Sequence, residues 1–144
     1  MSRTFVSIAL TLSVGLLLGC GKGEATYPVT GKVTYPDGTP LVNAQVSFES
    51  TTKPISAVGR TDASGVYKLT TYKPEDGAIR GEHRIAVLPP PQPTPEHDDE
   101  SGKPLEYKQV PPPIDAKYLR FDTSGLTCTV DKAMTFDITV TKPK

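Results

Sequence analysis

Tryptophan is absent from the 144 residues, and cysteine, histidine and methionine occur only twice each. Each shortage removes a class of function. Sixteen Lys and Arg against sixteen Asp and Glu leave no net charge, so no long-range field draws the chain to nucleic acid, and that partner is excluded. His83 and His97, with one spare thiol, are too few for a zinc site of the Cys/His type, and no metal or cofactor is expected. No apolar run reaches the roughly 20 residues that a membrane-spanning helix needs; the longest, Phe5 to Leu18, falls short. With 36% hydrophobic residues, fifteen prolines and twelve glycines, the composition predicts a modest core and many turns rather than long helices.

The short apolar run has another use. Met1 to Gly19 carries Arg3, then the run from Phe5 to Leu18, then Gly19 before Cys20, which is the layout of an export signal. Its end, Leu17-Leu18-Gly19-Cys20, resembles the bacterial lipobox, and the resemblance implies that Cys20 is acylated and becomes the mature N-terminus. An ordinary signal peptide that ends near a cysteine is the alternative. Buried acyl chains contribute about 0.8 kcal/mol per methylene, so residue 20 would fix the protein to a membrane of the cell envelope without spanning it. Residues 20–27 are then the lipidated cysteine and a flexible tether, because Gly21 to Thr26 offers nothing to pack. With Cys20 so used, Cys128 has no partner and is expected to be a free, buried thiol.

The rest, 28–142, reads as one all-β domain. Arg60 to Lys68 contains Asp62, which can accept from the backbone ahead of it, and Gly65, which can take the positive φ that closes a turn. Tyr67 and Leu69 then alternate with Val66, Lys68 and Thr70, the period of a two-faced strand. Residues 55–61 and 66–71 are predicted to form a hairpin around that turn. Val29, Gly31, Val33 and Tyr35 form one apolar face; Asp37-Gly38 turns the chain; Ala44, Val46 and Phe48 point inward while Gln45, Ser47 and Glu49 face water. A polar loop at 73–77 precedes a strand with His83, Ile85 and Val87 in phase. Leu126, Cys128 and Val130, and then Phe136, Ile138 and Val140, predict a last hairpin around residues 131–133. Seven strands fit an antiparallel β-sandwich, with a partly open barrel as the alternative.

These residues also carry a family likeness. Gly31-x-Val33, Asp37-Gly38-x-Pro40-Leu41-x-x-Ala44-x-Val46, Thr61-Asp62-x-x-Gly65-x-Tyr67 and Gly81-x-His83-x-Ile85-x-Val87 resemble the carboxypeptidase regulatory-like domain. The resemblance implies a transthyretin-like (prealbumin-like) seven-stranded sandwich of the kind common in bacterial envelope lipoproteins, and it implies no activity. His83 stands where many relatives have an aromatic residue.

No catalytic constellation is legible. Cys128 shares the phase of Leu126 and Val130, and His83 that of Ile85 and Val87, so both read as core residues. The C-terminus, Val140-Thr141-Lys142-Pro143-Lys144, lacks the Tyr-Arg-Gly-Ser ending of hydroxyisourate hydrolases of related fold. Lys32 and Asp137, tested as an amide cross-link, are both out of phase with the core and face solvent. Glu96-His97-Asp98-Asp99-Glu100 lacks the spaced ligands of a calcium loop and reads as a solvated tip. Residues 89–114 form a proline-rich connection too long for an ordinary sandwich loop, predicted to lie along or project from the surface. Residues 115–121 predict one helical turn. The expectation is a non-catalytic, lipid-anchored envelope module that serves as a scaffold for protein or glycan contacts; a small enzyme of transthyretin-like fold and a structural spacer are the alternatives.

Overall fold

The computed structural model describes residues 23–91 and 113–144. Residues 17–20, the acidic run 96–100 and most of the proline-rich connection, with Leu105 and Tyr107, lie outside the described residues. Within them the chain is all β apart from one 3-10 turn at Ala116–Leu119. The strands are β1 (Thr26–Tyr27), β2 (Val29–Thr34), β3 (Gln45–Ser50), β4 (Ser56–Arg60), β5 (Val66–Lys68), β6 (Ala78–Ile79), β7 (Gly81–Leu88), β8 (Leu126–Val130), β9 (Met134–Thr135) and β10 (Ile138–Thr139). All seven expected strands are present; β1 and β6 add to them, and the last is split into β9 and β10.

One four-stranded sheet has the order β4-β3-β7-β8 and is antiparallel throughout. In the other, β2 is central, antiparallel to β5 and parallel to both β9 and β10. The parallel pairs correct the wholly antiparallel expectation. A small third sheet joins β1 to β6. This pairing also corrects the tether: Thr26 and Tyr27 are paired with Ile79 and Ala78, and Glu24 binds Lys53 at 2.5 Å.

The loop 51–55 joins β3 and β4 as a hairpin, but none of the three turns at 37–38, 62–65 and 131–133 makes one. At Asp62 the expected turn is there: the N–H groups of Ser64 and Val66 donate to its Oδ1 at 2.8 and 2.9 Å, and Gly65 sits at φ +78. Yet β4 pairs with β3 and β5 with β2, and the two arms are hydrogen-bonded to each other through a two-bond bridge between Val58 and Thr70, just beyond β5. The Asp37-Gly38 turn, closed by Thr39 N–H donating to Asp37 Oδ1 at 2.9 Å, likewise joins β2 and β3 of different sheets. The segment after β8 crosses in the same way to β9 and β10, which is why they reach β2 parallel to it. The physical reason is common to all three. Period-2 alternation decides which face is buried, whereas the choice of edge depends on long-range packing.

The two four-stranded sheets share one core. Val29, Val33, Tyr67, Leu69, Ile138 and Val140 meet Val46, Phe48, Ile85, Val87, Cys128 and Val130, with Ile114 and Tyr118 included. Phe48 is at its centre, its ring 6.4 Å from that of Tyr67, 6.1 Å from His83 and 6.0 Å from Phe136, spacings typical of attractive aromatic packing. Ser47, expected to face water, is buried: β3 lies between two neighbours, and Val58 and Ala86 flank it in the ladder. Asp115 starts the 3-10 turn by accepting from Lys117 N–H at 3.0 Å, and its own N–H donates to Thr141 O at 2.8 Å. That turn closes the core with Tyr118.

Candidate functional site

The sequence places chemistry at the N-terminal end, so the site is built from where the described chain begins. Leu17, Leu18, Gly19 and Cys20 lie outside the described residues; Gly23 is the first inside them. From there the chain is held at once. Glu24 is paired with Lys53, β1 with β6, and the ring of Tyr72 lies against Gly23, where an added Cβ would sit 3.4 Å from Tyr72 Cε2. Gly23, Glu24, Ala25, Thr26, Tyr72, Lys73 and Asp76 enclose a surface hollow of about 520 Å³.

Asp76 shapes this end. Its Oδ1 accepts from Thr71 N–H at 2.7 Å, and its Oδ2 from the N–H groups of Tyr72 and Lys73 at 3.0 Å each. Partial burial opposes its ionisation, but the backbone donors together outweigh that and hold the carboxyl below the usual range. The result is a rigid turn that presents Tyr72, 49% exposed, and the exposed Lys73. Tyr72 escaped the sequence reading because it follows a strand and precedes a loop with no alternation to mark it. An aromatic residue next to Lys-Pro at a strand end was the available signal.

A second concavity, about 570 Å³, lies between β4 and β5 and is lined by polar and charged groups that include Arg60, Asp62, Lys68 and Glu75. Its charges are mostly engaged: Lys68 Nζ binds Glu75 at 3.0 Å, and Arg60 Nη1 donates to Asn43 Oδ1 at 3.1 Å. Such a groove can hold a polar ligand by exchangeable hydrogen bonds; it brings together no nucleophile and base.

His83 and Cys128 face each other across β7 and β8 inside the core. Burial pushes the His83 pKa down, against the hydrogen bond between Nδ1 and Gly81 O at 3.0 Å. Burial pushes the Cys128 thiol up, and its Sγ lies 3.7 Å from Met134 Sδ. A neutral imidazole and a protonated thiol are core fillers, not a nucleophile pair. Lys32 and Asp137 are both exposed, and Lys32 offers Asp137 its backbone N–H rather than its amine. Among the described residues no helix is long and apolar enough to cross a membrane, and no three His, Cys, Asp or Glu side chains cluster as a metal site. Comparison with protein-family models, curated proteins and solved structures gives no match to this chain.

Proposed function

We propose that this chain is a lipid-anchored, non-catalytic module of the bacterial cell envelope, whose transthyretin-like β-sandwich is a scaffold for protein or glycan contacts. The observation that carries this reading is the distance between anchor and fold. The apolar run ends in Leu17-Leu18-Gly19-Cys20, and a packed domain begins only three residues later, at Gly23, already tied down by Glu24. An apolar segment so close to a folded domain fits a signal that is cleaved before Cys20 and replaced by acyl chains. The two four-stranded sheets around one core support the sandwich. The polar groove between β4 and β5 favours a scaffold that makes contacts over a bare spacer.

The test is Cys20→Ser in cells that process lipoproteins, with membrane fractionation and mass spectrometry of the N-terminal peptide. The parent is expected in the membrane fraction with an acylated Cys20, and the variant as an uncleaved or released form. A signal-cleaved variant that still partitions with membranes would reject the anchor.

A further inference from the structure

Gly23 follows Cys20 by three positions, with only Gly21 and Lys22 between them, so even a fully extended connection spans no more than about 11 Å. The headgroup layer of one leaflet is itself roughly 5 to 8 Å thick. The end of the domain that contains Gly23 is therefore held at the bilayer surface, and its side chains are those of a headgroup contact. Tyr72 packs against Gly23 and leaves half its surface free. Lys73, exposed beside it, has no acidic partner among the described residues. The acidic groups nearby are engaged: Glu24 with Lys53, Glu75 with Lys68, and Asp76 with three backbone N–H groups. An amphipathic ring beside a free lysine suits the boundary between acyl chains and anionic headgroups.

We propose that the face built from Tyr72, Lys73 and the Glu24–Lys53 pair lies on phospholipid headgroups and fixes the orientation of the domain. This proposal rests on the lipid-anchor reading above. In that orientation Tyr72 enters the interface. The turns at Asp37–Gly38 and Asp62–Gly65, at the opposite ends of β2 and β5, point away from the membrane.

The lack of tryptophan makes the test direct. Tyr72→Trp introduces a single, selectively excitable tryptophan at the proposed contact, and Val42→Trp introduces one at an exposed site at the far end of β2. The acylated mature proteins are reconstituted on vesicles of phosphatidylethanolamine and phosphatidylglycerol with brominated acyl chains. Emission from Tyr72→Trp is expected to shift to the blue and to lose much of its intensity relative to unbrominated vesicles, with Val42→Trp unchanged. If both proteins float with the vesicles but neither tryptophan is quenched, or both are quenched alike, the orientation is wrong and the anchor stands; a protein partner for Tyr72 would give the unquenched result. If neither protein floats with the vesicles, the anchor reading fails and takes this proposal with it.

Discussion

The carboxylate of Asp137 substitutes for a main-chain carbonyl opposite Lys32: Lys32 N–H donates to Asp137 Oδ1 at 2.8 Å. In a regular parallel ladder that N–H would meet Phe136 O, since Phe136 N–H already donates to Thr30 O at 2.8 Å. The Phe136 carbonyl has instead turned inward, where it accepts from the Tyr67 hydroxyl at 2.5 Å. One side chain satisfies the amide that was vacated and another the carbonyl that was displaced, so the break between β9 and β10 leaves neither group without a partner.

Asp137 should therefore be replaceable by any residue that keeps an oxygen at the same place. Asp137→Asn is expected to unfold in urea within a few tenths of a kcal/mol of the parent, and Asp137→Ala to lose about 1 kcal/mol, the usual net worth of a hydrogen bond near the surface. Equal losses in the two variants would mean that charge, not the acceptor, matters here.

Gly31 and Tyr67 make the inward turn possible from the other side. An added Cβ on Gly31 would overlap the Phe136 carbonyl and approach the Tyr67 hydroxyl to 2.8 Å, and both of those neighbours are fixed by packing. Gly31→Ala is expected to cost at least the 1 to 3 kcal/mol typical of overpacking. Tyr67→Phe should cost about 1 to 2 kcal/mol by leaving a partly buried carbonyl unpaired. Burial, then the charges of Cys128 and Asp137, raise the Tyr67 pKa well above its ordinary value. The unfolded chain releases that proton near pH 10 while the folded chain keeps it. Stability should thus fall as the pH rises above about 10, and Tyr67→Phe should remove that part of the fall in an alkaline denaturation series.

The faces of most strands were legible because burial largely follows alternation: Val29, Val33, Tyr67, Leu69, Ile85 and Val87 are all buried as their phase requires, while Ser47 and Ala86, on inner strands of the antiparallel four-stranded sheet, are buried against theirs. The turns were legible where one side chain does the work, as at Asp62 and Asp115. Pairing partners were not. Ile138 and Val33 lie 105 residues apart and side by side, and no local pattern encodes that approach. The turn of Phe136 away from its ladder was equally hidden, since Phe136, Ile138 and Val140 alternate as if the strand ran unbroken. At the N-terminal end, Glu24 looked like part of a tether because its partner Lys53 sits in a distant loop.

Cys128 is a free thiol facing the core, and burial holds its pKa above the ordinary thiol range, so little thiolate is present at neutral pH. A maleimide or disulfide reagent should label it slowly in native buffer and at the rate of a free cysteine in denaturant. Labelling at the denatured rate under native conditions would mean that the strand edge of β8 opens far more readily than its packing implies.

His83 makes the most separable prediction, because it is fully buried, its ring packs against Phe48, and the ordinary pKa of a histidine lies in an accessible range. Desolvation lowers its folded pKa, with the Gly81 carbonyl bond as the smaller opposing effect. In the unfolded chain it titrates near pH 6.5. As the pH falls through that value the unfolded chain takes up a proton that the folded chain refuses, so stability declines toward the lower folded pKa by at most about 1.4 kcal/mol per pH unit. His83→Phe keeps an aromatic ring beside Phe48 and cannot be protonated, though it gives up the bond to Gly81. Urea melts between about pH 7.5 and 5.5 should show the parent losing stability and the variant starting lower but staying nearly level. His97 is present in both proteins, so its contribution cancels in the difference. Parallel curves would mean that His83 takes up its proton as easily when folded as when unfolded, and hence that water reaches its ring in the core.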